Sequence, residues 1–89
     1  MLTKKLILRN KLGLHARASA KFVTIANHYA SDICIIYNNH KVNGKSIMDI
    51  MLLAANQDTV IELVIDGEDE IDALNTLENL INTGFGEKE

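Results

Sequence analysis

Residues 59–65 decide the fold, and they read Thr59-Val60-Ile61-Glu62-Leu63-Val64-Ile65. Successive side chains of a strand point to opposite faces, so Ile61, Leu63 and Ile65 share one face. The alternation therefore predicts the best-buried strand of a sheet. A turn at Asp66-Gly67 is expected to end it.

Upstream of this stretch, the chain predicts one more strand and a hairpin. Residues 6–9 alternate after two lysines and run into a loop at residues 10–13. Residues 32–37 are β-branched and place Ile33 and Ile35 on one side, and Asn38-Asn39-His40 is a turn signal. A short return strand is expected around Lys41-Val42.

Three helices are predicted between and after the strands. The first runs from Ala16 to about Tyr29, with an apolar face of Phe22, Val23, Ala26 and Tyr29. The second is short, from Ile47 to about Leu53, with Ser46 as its N-cap. The third starts among the acidic residues 68–72 and ends at Gly84 and Gly86, with a stripe of Ile71, Leu74, Leu77 or Leu80, and Ile81.

The element order βαββαβα predicts an α+β open-faced sandwich: a four-stranded antiparallel sheet covered on one face by three helices. The 89 residues, 47% of them hydrophobic and 24% charged, suit one globular domain spanning 1–89. A chain of this size has no room for a deep enclosed cavity. Any functional site is therefore expected to be shallow.

The charge balance and the apolar pattern exclude several classes of partner. Nine Lys and Arg against twelve Asp and Glu give a net charge of −3, which argues against nucleic acid binding. The first residues lack a signal-peptide pattern and no segment approaches a membrane span, so we expect a cytoplasmic protein without membrane insertion. Cys34, between Ile33 and Ile35, is expected to be a reduced, partly buried thiol.

Candidate chemistry concentrates at Gly13-Leu14-His15-Ala16-Arg17, where a glycine-containing loop turns into a helix. The first N–H groups of a helix have no internal partner, and the helix dipole is positive there. A phosphate on His15 would meet donors from Ala16 and Arg17, and the Arg17 guanidinium would add a positive charge. A neutral imidazole is nucleophilic enough to attack phosphorus without a neighbouring base.

Other interpretations of these polar residues are weighed beside this one. A loop histidine beside an arginine is most often solvated surface. The three histidines, His15, His28 and His40, have no metal-ligand spacing, so no metal site is predicted. Gly44-Lys45-Ser46 resembles the end of a nucleotide-binding loop, but Asn39 stands where that motif requires glycine. Nucleotide hydrolysis is therefore not expected.

The second predicted helix is apolar over more of its surface than one buried face requires. If Ile50, Leu53 and Ala54 face the sheet, then Ile47, Met48 and Met51 lie together on another face. Flexible methionine side chains suit a surface that meets several partners. Complete burial of this short helix is the alternative.

Two motifs together resemble the HPr family, the histidine-containing phosphocarriers of the bacterial phosphoenolpyruvate-dependent phosphotransferase system. The first motif is residues 10–20, which read NKLGLHARASA, and the second is residues 44–51, which read GKSIMDIM. The likeness covers nearly the whole chain, including the element order and the turn at residues 67–70.

The resemblance implies a role for each motif residue. His15 would accept a phosphoryl group from enzyme I and pass it to an enzyme IIA component, and Arg17 and the Ala16 amide would stabilise the group. Ala20, Ile47, Met48 and Met51 would form the partner-docking face. No cofactor is implied, and small size with transient contacts favours a monomer.

Two positions qualify the resemblance. Ser46 matches the regulatory serine that HPr kinase/phosphorylase phosphorylates in many bacteria, although it would cap the helix whether or not a kinase exists. Ala18 stands where the family usually has proline, which leaves open a divergent branch such as the nitrogen-related phosphotransferase system. A Ser46-phosphorylated regulatory adaptor and a ferredoxin-like ligand- or RNA-binding domain are further alternatives. The presence of His15 disfavours the first. For the second, acidic charge and few aromatic residues argue against RNA binding, and the trailing helix and the His-Ala-Arg helix start argue against a small-ligand domain.

Overall fold

The chain forms four strands and three helices in the predicted order βαββαβα. The computed structural model describes residues 1–87. The strands are β1 (Leu2–Ile7), β2 (Asp32–Tyr37), β3 (His40–Asn43) and β4 (Val60–Asp66), and the helices are α1 (Ala16–Ala26), α2 (Ile47–Leu52) and α3 (Glu70–Asn82). A 3-10 turn, Gly84–Gly86, follows α3.

The sheet is antiparallel throughout, with the strand order β1-β4-β2-β3. β4 is a central strand: Ile61 pairs with Leu6 of β1, and Ile65 pairs with Ile33 of β2. Both edges of β4 are therefore paired with neighbouring strands, and Ile61, Leu63 and Ile65 on its core face are at most 1% exposed. The predicted α+β sandwich and its best-buried strand are confirmed.

The core lies between one face of the sheet and the helices. Ile33 and Ile35 of β2 complete the sheet side. The helices contribute fully buried side chains: Phe22 and Ala26 from α1, Ile50 from α2, and Ala73, Leu77 and Ile81 from α3. Burial of each large aliphatic side chain stabilises the fold by about 1.5–3 kcal/mol.

Two predicted elements, α1 and β1, have displaced boundaries. α1 ends at Ala26, because the chain leaves the helix through a turn in which the Tyr29 amide donates to Ala26. Tyr29 still packs against the core from outside the helix, and its hydroxyl donates to Oγ1 of Thr76 at 2.7 Å. β1 runs from Leu2 to Ile7 instead of over the predicted residues 6–9, and it ends one residue before the fully buried Leu8.

Two predicted core positions are wrong. Ile71 is 65% exposed, because the buried stripe of α3 passes through Ala73, Leu77 and Ile81. Ala54 is exposed, because α2 ends at Leu52 and Ala54 adopts a left-handed backbone conformation (φ 51°) that turns the chain away. Cys34 is a partly buried free thiol, as expected.

Candidate functional site

The loop before α1 is held against the segment that follows α2. The Leu14 amide donates to the Ala55 carbonyl at 2.9 Å, and Asn10 Nδ2 donates to the Gly13 carbonyl at 2.7 Å. Gly13 has a left-handed backbone (φ +63°), and a Cβ there would lie 2.2 Å from the Ala55 oxygen. Only glycine fits this close approach, which places the next residues at the helix start.

His15 is the N-cap residue of α1, with an extended backbone (φ −80°, ψ −179°) and no capping bond from its side chain. The side chain of a helix N-cap residue usually accepts a hydrogen bond from one of the first backbone amides. Here the imidazole leaves those amides to another acceptor. Its side chain is 26% exposed, so an incoming group can reach it.

A shallow depression beside His15 carries an excess of positive charge. Its lining includes Lys11, Arg17 and Lys21, together with Leu12, Ala16, Gly86 and Glu87. Helix geometry leaves the amides of Ala16 and Arg17 without an intrahelical acceptor. Three cationic side chains and a helix N-terminus favour an anion at this position.

Both nitrogens of the His15 ring face acceptors. Nδ1 lies 3.0 Å from the Gly13 carbonyl oxygen, and Nε2 lies 2.9 Å from Oε2 of Glu87. The other Glu87 oxygen, Oε1, accepts from Asn10 Nδ2 at 3.0 Å. Asn10 is 1% exposed, so a buried amide orients the carboxylate that meets the histidine.

The residues predicted for the site are brought together only in part. Ala16 and Arg17 are exposed beside His15, and the Arg17 side chain has no hydrogen bond or ion pair within residues 1–87. Ala20 is half-buried in an apolar groove that also involves Leu80 of α3. Ala18 is fully buried in the first turn of α1.

The predicted apolar patch on α2 is exposed. Met48 is 70% exposed, Ile47 and Met51 are each 39% exposed, and Ile50 is buried beneath them. The alternative of complete burial is therefore wrong. Ser46 caps α2 as predicted, since its hydroxyl accepts from the Asp49 amide at 3.3 Å.

Sequence reasoning missed Asn10, Lys21 and Glu87. Asn10 and Glu87 are 77 positions apart, and no local periodicity connects them. The only sequence signal was the pair of glycines at 84 and 86, which indicated that the chain turns after α3. Lys21 Nζ donates to the Phe85 carbonyl at 2.8 Å and holds that turn against α1.

No group of three or more His, Cys, Asp or Glu side chains in residues 1–87 could hold a metal ion. Within the same residues, no helix has the length and apolar character needed to span a bilayer.

Comparison with known proteins gives concordant results. The family described as "PTS HPr component phosphorylation site" matches residues 2–83. Phosphocarrier protein HPr of Neisseria meningitidis is 52% identical, over the whole length of both chains. The chain belongs to the HPr family. It is thus a phosphocarrier protein of the phosphotransferase system by family.

Solved HPr structures share the fold. HPr-C-His from Thermoanaerobacter tengcongensis has a TM-score of 0.95 at 43% identity, with both chains fully covered. An HPr dimer from the same organism has a TM-score of 0.78 at 44% identity, covering 98% of this chain and 100% of that one. HPr folds are therefore found in a dimeric assembly as well.

Proposed function

We propose that His15 carries a phosphoryl group from phosphorylated enzyme I to an enzyme IIA component of the phosphotransferase system. One observation carries this assignment. The His15 imidazole is partly exposed at the start of α1, in a depression lined by three cationic side chains. This setting offers a nucleophile and an anion site at the same place.

The proposed transfer requires no general base, because a neutral imidazole attacks through a nitrogen lone pair and releases no proton. A ring nitrogen of His15 attacks phosphorus while the bond from phosphorus to the donor breaks, and that electron pair stays with the donor. The amides of Ala16 and Arg17 and the Arg17 guanidinium receive the phosphoryl oxygens. The same steps in reverse order deliver the group to the acceptor.

A carrier must hold the group only moderately. Very tight stabilisation of the phosphorylated state would trap the group and slow onward transfer. The exposed Arg17 and the open depression meet this requirement, because solvent screens their interaction with the phosphate. The open depression at His15 is thus compatible with a shuttle.

Partner binding is assigned to the apolar surface of α2. Ile47, Met48 and Met51 form the docking face, together with Ala20 of α1, which lines an apolar groove that begins at Arg17. Phosphorylation of Ser46 would add a charge of about −1.5 to −2 at the edge of this face and weaken docking to an acidic partner. Transient docking by a cytoplasmic monomer is part of the proposal, and sedimentation would reveal a dimer instead.

The test is phosphorylation by enzyme I with phosphoenolpyruvate and magnesium. We expect incorporation of acid-labile, alkali-stable phosphate into the wild type and none into His15→Ala. His28→Ala, which changes an exposed histidine beyond the end of α1, is the matched control and should be phosphorylated normally. No incorporation into the wild type, with an active enzyme I of the same source, would overturn the carrier role and favour the Ser46-centred adaptor.

Arg17 provides a second test of the same site. Arg17→Ala should slow phosphorylation at least about tenfold, which corresponds to the loss of one charge-assisted hydrogen bond to the transferring group. His28→Ala again serves as the reference. An unchanged rate in Arg17→Ala would remove this residue from the proposed mechanism without affecting His15.

A further inference from the structure

The segment after α3 returns to His15 along an unusual backbone path. Gly84, Phe85 and Gly86 all have left-handed φ values, of 64°, 60° and 69°. A bulky residue such as Phe85 rarely adopts this conformation, and such strain persists only where the surroundings enforce it. Phe85 is 1% exposed, and its carbonyl accepts from Lys21. Packing and a charged donor thus hold the segment that carries Glu87.

Glu87 is itself held on two sides. Asn10 Nδ2 donates to Glu87 Oε1 at 3.0 Å, and His15 Nε2 lies 2.9 Å from Glu87 Oε2. The Glu87 side chain is only 11% exposed, and it is the one anionic group lining the depression within residues 1–87. The carboxylate is therefore oriented before any partner arrives.

We propose that Glu87 is a positioning residue that keeps the proton of the His15 ring on Nε2. This inference rests on the proposed function and adds a residue to it. An ionised carboxylate only accepts hydrogen bonds, so the ring nitrogen that meets it must carry a proton. The partner of one imidazole nitrogen determines which nitrogen of the neutral ring is protonated.

The Glu87 contact also determines whether Nδ1 carries a proton when the ring is neutral. Nδ1 faces the Gly13 carbonyl, which also only accepts, so the observed pose satisfies both nitrogens when both are protonated. Because Glu87 holds the Nε2 proton, the neutral ring has its lone pair on Nδ1. The Nδ1 lone pair and the Gly13 oxygen then repel each other, and Nδ1 is released for attack.

Charge is balanced through the transfer. The Nδ1–P bond forms as the bond from phosphorus to the donor breaks, and the ring keeps its Nε2 proton and gains a positive charge. That charge develops next to the Glu87 carboxylate, which stabilises it at short range. When the group leaves, the electron pair of the Nδ1–P bond returns to Nδ1.

Two-bond ¹H–¹⁵N correlation spectra of the His15 ring test the inference directly. With the ring neutral, we expect the wild type to be protonated at Nε2. Glu87→Ala should raise the fraction protonated at Nδ1, because Gly13 then offers the only acceptor. Glu87→Gln has one acceptor oxygen for two donors, Asn10 Nδ2 and His15 Nε2, so its fraction protonated at Nε2 should lie between those of the wild type and Glu87→Ala. Glu68→Ala, at an exposed glutamate before the opposite end of α3, should match the wild type.

Phosphorylation kinetics provide the second readout. We expect the maximal rate for Glu87→Ala to fall about tenfold with little change in KM for enzyme I, since one charge-assisted contact to the ring is lost. An unchanged proton position in Glu87→Ala, or a wild-type ring protonated at Nδ1, would overturn the role of Glu87 even if His15 is phosphorylated. A shifted proton without phosphorylation of the wild type would support the role of Glu87 and overturn the carrier function.

Discussion

The carboxylate of Asp69 binds Ser31, which lies 38 positions earlier in the chain. The Ser31 amide donates to Oδ1 at 3.0 Å, the Ser31 hydroxyl donates to the same oxygen, and the Ala30 amide donates to Oδ2 at 2.8 Å. Asp69 is the N-cap residue of α3 but makes no capping bond with its side chain. Its carboxylate oxygens instead accept hydrogen bonds from Ala30 and Ser31, and these bonds connect the start of α3 to the segment that enters β2.

This contact predicts acid-sensitive stability. The Ser31 hydroxyl, followed by the Ala30 amide, lowers the pKa of Asp69 from its ordinary value of 3.8. The folded state therefore gains stability that is fully present above pH 3.8 and is lost as the pH falls through the lower folded pKa. Asp69→Asn should lower Tm by several degrees at pH 7 and by progressively less below pH 3.8.

Thermal unfolding followed by circular dichroism between pH 7 and pH 2 would measure the difference. Asp72→Asn, at an exposed position of the first turn of α3, is the control for loss of negative charge near this helix start. A constant Tm difference for Asp69→Asn over the whole pH range would contradict the prediction.

Substitutions at Gly13 and Gly86 would distinguish the cost of backbone strain from the cost of a steric clash. Both have a left-handed φ. A Cβ at Gly13 would lie 2.2 Å from the Ala55 oxygen, whereas a Cβ at Gly86 would have no atom of residues 1–87 within 4 Å. Gly86→Ala should lose about 1–2 kcal/mol from the backbone alone. Gly13→Ala should lose clearly more, because the clash with Ala55 is added. Urea unfolding would compare the two, and equal losses would refute the close approach at Gly13.

Met48 tests the docking face without disturbing the core. Its side chain is 70% exposed, so Met48→Ala should change the free energy of unfolding by less than about 0.5 kcal/mol. We expect KM for enzyme I to rise about fivefold or more, with little change in maximal rate, as for a central apolar interface residue. Ile71→Ala removes a comparably exposed side chain from α3. An equal effect of the two substitutions would argue against α2 as the docking face.

Ser46 allows capping and regulation to be distinguished. Ser46→Ala removes the acceptor for the Asp49 amide and should lose about 1 kcal/mol of stability. Ser46→Asp keeps a capping oxygen and should retain most of that stability, but its charge should slow phosphorylation of His15 by enzyme I. Asn75→Asp places the same charge on an exposed position of α3. A similar rate for the two aspartate variants would reduce Ser46 to a structural cap.

Local rules account for the part of the structure that the sequence predicted. The alternation at residues 59–65 identified the central strand, because strand faces repeat every two residues. The Ser46 cap was predictable because its hydroxyl bonds an amide three positions later. The placement of His15 at a helix start followed from the loop at Gly13 and the apolar face of α1. Each of these signals is read within a few residues.

Tertiary structure alone decided which residues distant in the sequence lie beside His15. Asn10 meets Glu87 across 77 positions, and Lys21 meets Phe85 across 64. It also decided that Ile71 is exposed. Which side of α3 becomes buried depends on how the helix packs against the sheet, and that packing is not visible in the sequence of α3 alone. By itself, the sequence determined the elements, their order and the phosphoryl-accepting histidine that we propose. The charged environment of that histidine depended on folding, because contacts between distant residues leave no periodic pattern along the chain.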